Sequence, residues 1–287
     1  MGLDKQNSEK IRLAVRSVKQ RLLDILDQPF ADDLAFIGNS SAVYDWKPSL
    51  MVDLDCFIFA NELGLNLGNY LEMLKYELTQ DLGLKGMTFD MRIIEGPFKP
   101  PIKELIEPTI VAHLGVFTKN KYLKSAPLKR WAWRKYQCEM SKDRLKDLAP
   151  IRPTLNEYIY GKKGLLERRE AIKRGQVKMT EWVLPSLQPR SFFVSLEDLG
   201  FHECCFAYAA NSARNHARAL GFVEADSLGN EEYFDWYNQN VFYSEELAQL
   251  MRIKSECRDI GFDRDNSTLQ TLTETYLNDL LLHLVSI

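Results

Sequence analysis

The sequence contains no apolar run approaching the roughly 18 residues that a membrane-spanning helix needs, so no membrane partner is expected. Its opening stretch, MGLDKQNSEKIRL, has no apolar segment behind a basic start. That argues against a secretory signal and predicts a cytoplasmic location. Cysteine is scarce: the 287 residues include five, with no C-x-x-C pair and no regular spacing. An odd, scattered set predicts free thiols packed in the core rather than a disulfide framework. His202 stands near Cys204 and Cys205, but adjacent cysteines do not readily close a tetrahedral zinc site, and no second ligand pair follows. GxxxxGK, HExxH and GxSxG are all missing, which removes P-loop, zincin and hydrolase-elbow chemistry.

What is present is an ordinary balance of 45% hydrophobic and 27% charged residues, enough to build a core unaided. The net charge of −3 hides an uneven distribution. Residues 119–190 hold 19 Lys/Arg against seven Asp/Glu, between two acidic flanks. A basic middle segment suits an anionic partner such as a triphosphate or a nucleic-acid backbone, and it equally suits a pair of solvated helices.

Periodicity divides the chain. Residues 8–27 place Ile11, Val15, Val18, Leu22 and Ile25 on one helical face. LAFIGNSS (34–41) reads as a strand running into a glycine-led turn, and LMVDLDCFIFA (50–60) as a second strand. A helical period returns over 66–82, followed by strands at 87–94 and 109–118. From about residue 120 helical patterns dominate, with helices expected over 127–147, 154–182, 195–220, 230–260 and 266–286. PSLQPR (185–190) reads as a connector. The expected architecture is α+β: a mixed sheet with helices over 1–124, followed by an α-helical bundle over 125–287.

Three acids interrupt the strands, which normally exclude them. Asp53 and Asp55 are two apart and share one face of their strand. Asp90 lies in a matching run between Phe89 and Met91, and would come level with the pair if the two strands were neighbours. Such carboxylates call for a divalent cation between them, and magnesium is the natural choice for oxygen ligands. Gly38, Asn39, Ser40 and Ser41 offer backbone N–H groups and hydroxyls to a phosphate. Lys47 could reach a phosphate from the following loop, and Arg92 should face the same side as Asp90. The segment Lys129-Arg130-Trp131-Ala132-Trp133-Arg134-Lys135-Tyr136 interleaves bases and aromatics, a pattern that serves either nucleotide stacking or interdomain packing.

In order and strand context, Ile37-Gly38-Asn39-Ser40-Ser41, then Asp53-Leu54-Asp55, then Phe89-Asp90-Met91 resembles the DNA polymerase β-like nucleotidyltransferase superfamily. The resemblance covers about residues 34–95, with Asn39 where the family usually has Ser or Gly and a long gap from Gly38 to Asp53. It implies two Mg2+ ions held by Asp53, Asp55 and Asp90, and an NTP, ATP being expected, whose phosphates rest on Gly38 to Ser41 and Lys47. The reaction implied is transfer of a nucleoside monophosphate to an acceptor hydroxyl with release of pyrophosphate. An α/β domain followed by helices resembles the small-molecule members, including antibiotic adenylyltransferases. The basic 119–190 segment keeps a nucleic-acid, nucleotide or protein acceptor as the alternative, and a non-catalytic nucleotide-binding module is the third reading.

Overall fold

The computed structural model describes residues 5–36, 51–95, 107–124, 139–140, 146–148, 162–222, 228, 230–260 and 266–286. It is a mixed α and β protein with a helical C-terminal part. The first helix, α1 (Lys5–Leu23), buries Ile11, Val15, Val18 and Leu22 as their spacing predicts, and a single 3-10 turn then buries Ile25. After β1 (Ala31–Phe36) and β2 (Met51–Ala60) comes α2 (Leu65–Gly83), which buries Leu67, Leu71, Leu74, Leu78 and Leu82. The strands β3 (Thr88–Glu95) and β4 (Thr109–Thr118) follow, then a short helix α3 (Lys119–Leu123). A two-residue strand β5 (Glu139–Met140) pairs with β1.

Downstream of these, α4 (Lys162–Arg174) leads into a hairpin of β6 (Gln176–Val183) and β7 (Gln188–Ser195). The chain then forms α5 (Phe201–Ala219), α6 (Asn230–Asn240), α7 (Glu245–Ile260) and α8 (Asn266–Ser286).

Several expectations are corrected. The helix expected over 154–182 stops at Arg174, because Gly175 adopts φ +63° and turns the chain into β6. There Val177 and Met179 alternate inward, and the expected connector over 185–190 supplies the hairpin turn and the start of β7. The helix expected over 127–147 falls mostly outside the described residues. Where it is described, residues 139–140 are strand and 146–148 a single 3-10 turn. The helix expected over 230–260 is two helices, broken where the Ser244 hydroxyl accepts the Leu247 N–H as an N-cap at 3.1 Å.

The strands form one sheet in the order β5-β1-β2-β4-β3-β6-β7. β2, β4 and β3 run parallel, while β1 and the β6–β7 hairpin are antiparallel to their neighbours. β4 lies between β2 and β3 and is buried along most of its length, with His113 its one ionisable residue, as suits a central strand. One face of the sheet, carrying Val52, Leu54, Cys56, Ile58, Ile110, Ala112, Leu114, Phe89 and Met91, packs in one cluster with α1 and α2. A second cluster, built from α4 to α8, contains Phe206, Tyr233, Tyr237 and Tyr276.

The hairpin stitches the two together. Val177 and Met179 belong to the helical cluster and Leu187 to the sheet cluster. At Gly68 the backbone of α2 meets the hairpin turn so closely that an added Cβ would lie 1.7 Å from the Pro185 carbonyl oxygen. Among the described residues, no helix is long and apolar enough to cross a membrane.

Candidate metal centre

The face of the sheet turned away from α1 and α2 carries the polar residues. The register places Asp53 beside Val111 and Asp55 beside His113, so the two acids of β2 and the histidine of β4 project together. His113 Nδ1 stands 2.9 Å from Asp53 Oδ1 and 3.5 Å from Asp55 Oδ1. Ligand atoms held about 2.1 Å from one cation stand about 3–3.5 Å apart, so these separations suit a shared metal ion. Among the described residues this is the one group of three or more acidic, histidine or cysteine side chains arranged so that a metal could be held.

The electrostatics agree with the geometry. Burial works against a charged His113 ring, but the hydrogen bonds and negative charges of Asp53 and Asp55 outweigh it, and the pKa is pushed up to about 9. In the metal-free protein the imidazolium therefore places a positive charge between the two aspartates. Asp53 Oδ1 is buried, with the His113 ring nitrogen beside it at 2.9 Å. A buried carboxylate oxygen is costly without a positive partner, and a coordinated cation can fill that role in place of the imidazolium. The donor set thus fits a divalent ion. Two carboxylates suit magnesium or manganese, and the imidazole shifts preference from magnesium toward manganese or zinc.

Asp90 is not part of the cluster. It is level with Asp53 and on the same face, since both are in register with Val111. β4 separates the two strands, however, so two strand spacings, about 10 Å, lie between them. The expected neighbourhood of β2 and β3 is corrected by the insertion of β4. Asp90 is instead engaged by cations: Arg92 Nε donates to Oδ2 at 2.8 Å, and Lys75 Nζ approaches Oδ1 at 3.4 Å while donating to the Met91 carbonyl at 2.9 Å. Arg92 does face the same side as Asp90, as alternation predicts, and pairs with it.

Gly38, Asn39, Ser40, Ser41 and Lys47 lie outside the described residues, as does the Trp131–Tyr136 segment. β1 ends at Phe36, in register with Cys56 on β2, the residue after Asp55. Cys204 and Cys205 are buried in the helical core, and burial pushes the Cys205 thiol up to about 12, as packing cysteines should behave.

His113 is the residue that sequence reasoning missed. Its signal was of the same kind as that of the aspartates: one ionisable side chain in an otherwise apolar strand, TIVAHLGVFT. Comparisons with known proteins add nothing to this geometry: no family model, no curated protein and no solved structure matches the chain.

Proposed function

We propose that this protein is a metal-dependent nucleotidyltransferase that moves a nucleoside monophosphate from an NTP to an acceptor hydroxyl, releasing pyrophosphate. The observation that carries the reading is the convergence of Asp53, Asp55 and His113, which can offer ligand atoms within 4.8 Å of one another. It agrees with the D-x-D strand that follows a glycine-serine turn in the sequence. A divalent ion bound there would stabilise negative charge on a phosphoryl oxygen.

The protein's own residues would do the rest. Asp53 and Asp55 hold the ion from β2, and His113 completes its shell from β4 in place of the acid expected at residue 90. Deprotonated His113 is required for that role, so metal binding displaces a proton. Asp90, tied to Arg92 and Lys75, is better suited to fixing those cations than to ligating the metal. Residues 1–124 then supply the catalytic unit, with its sheet extended by β6 and β7, and the helical remainder borders the acceptor. A small molecule is the favoured acceptor. A nucleic acid remains the alternative through the basic 119–190 segment, and a steep fall of acceptor affinity with salt would select it.

The test is pyrophosphate release from labelled NTPs offered with pools of acceptors, with Mg2+ or Mn2+ present. Metal-dependent release that disappears in Asp53→Asn supports the reading, and release that persists in that variant refutes it.

A further inference from the structure

Two kinds of donor meet in the metal centre, and they come from different strands. β2 supplies carboxylate oxygens from Asp53 and Asp55, and β4 supplies an imidazole nitrogen from His113. That nitrogen is Nδ1, the atom 2.9 Å from Asp53 Oδ1 and 3.5 Å from Asp55 Oδ1. Carboxylate oxygens alone discriminate little between Mg2+ and Mn2+. The nitrogen does more. Mg2+ takes oxygen ligands and sheds its waters reluctantly, whereas imidazole is a good donor to the dications of the first transition row.

The fold gives a bound cation little scope to avoid that nitrogen. β2 and β4 stay in register from Met51 opposite Thr109 to Ala60 opposite Thr118, so all three donors stand on one continuous parallel ladder. The His113 side chain is 11% exposed, against 34% for Asp53 and 40% for Asp55, so the ring is the most enclosed of the three ligands. Donors fixed on strands hold their geometry better than donors on loops, and a fixed geometry selects among ions. Asp90, the carboxylate that would restore an all-oxygen set, lies two strands from Asp53 and is engaged by Arg92 and Lys75.

We propose that His113 sets the identity of the cation, making the centre selective for a first-row transition-metal dication over Mg2+. The inference rests on the metal's role in the nucleotidyltransferase reading and deepens it, by naming the class of cofactor. It departs from the Mg2+ ions that the sequence resemblance implies. If His113 only balanced the charge of the two acids, Mn2+ and Mg2+ would meet the same pair of carboxylates and be told apart weakly.

Binding of the metal alone separates the two roles. Mn2+ is bound to the full chain, followed by paramagnetic resonance, and then displaced with Zn2+ or with Mg2+. For the wild-type protein, displacement by Mg2+ should need a concentration at least about tenfold above that of Mn2+, while Zn2+ should displace it readily. The bound Mn2+ should also show the pulsed-resonance signature of a coupled imidazole nitrogen. His113→Asp, which puts a carboxylate oxygen in place of the nitrogen, should lose that signature and narrow the preference for Mn2+ by about tenfold. Equal affinity of the wild-type chain for Mg2+ and Mn2+ overturns the proposal, as does bound Mn2+ without nitrogen coupling; neither result needs the variant to fold. A preference unchanged in His113→Asp overturns it too. Turnover is read separately: selective Mn2+ binding without pyrophosphate release would sink the transfer reaction and leave the selectivity standing. Pyrophosphate release from a chain that binds Mg2+ and Mn2+ alike would do the reverse.

Discussion

His113 in the sheet and His216 in the helical part are both largely buried, yet their surroundings drive them in opposite directions. Two aspartates hold His113 at a pKa of about 9, against the effect of burial. Burial and the neighbouring His283 take His216 down to about 4, and its ring shares a 2.7 Å hydrogen bond with the Tyr237 hydroxyl. In the helical core, Thr273 donates to the Leu269 carbonyl at 2.7 Å, and Ser212 accepts from Arg168 at 2.9 Å. On the sheet, two half-exposed acids crowd one imidazole. A ring buried beside another histidine is held neutral, whereas a ring between two carboxylates marks a place where negative charge converges and a cation is favoured.

The sharpest way to break this contrast is to remove an acid. Asp53→Asn or Asp55→Asn should cut pyrophosphate release at least about 100-fold. The circular-dichroism spectrum should be retained, because relieving repulsion between carboxylates does not unfold a domain. Survival of turnover in either variant would reduce the acids to structural partners of His113.

The helical half of the comparison is tested by pH. The unfolded His216 takes up a proton near 6.5 and the folded one only near 4, so the unfolded state binds more protons between those values. Its contribution therefore destabilises the fold as pH falls from about 6.5 to about 4. Denaturant titrations at pH 7 and pH 5 should show the wild-type protein losing about 2 kcal/mol more than His216→Gln over that interval. Equal losses would mean that the ring is not held neutral by its surroundings.

A smaller effect is expected at the junction between the regions. Gly175→Ala adds a Cβ that meets nothing within 4 Å, so its cost of about 1 kcal/mol comes only from the φ of +63°. A substitution without cost, measured by denaturant unfolding, would show that the α4–β6 turn does not depend on glycine.

Much of this was legible in the sequence, for identifiable reasons. The faces of α1 and α2 followed from apolar spacing, and β2, β3 and β4 from short apolar runs bounded by breakers. The pairing of Asp53 with Asp55 on one face followed from the two-residue period of a strand. Strand order did not follow, because periodicity says which face a residue takes and not which strand lies beside it. Asp90 was therefore placed next to Asp53 when β4 stands between them. The clue was in composition: β4 carries one ionisable residue, while β2 carries Asp53 and Asp55 and β3 carries Asp90, Arg92 and Glu95. Reading that difference would have moved β4 to the middle and drawn attention to His113. The β6–β7 hairpin was missed because charged residues around Lys173 and Arg174 prolong a helical pattern up to Gly175, where a single left-handed residue decides the outcome.

The central claim is that a divalent cation sits between β2 and β4, and not between β2 and β3. Mn2+ titrations followed by paramagnetic resonance on the wild-type chain, His113→Ala and Asp90→Asn test it most directly. The account predicts that His113→Ala binds Mn2+ at least about tenfold more weakly, while Asp90→Asn binds it as the wild-type protein does. Loss of binding in Asp90→Asn with full binding in His113→Ala would contradict it.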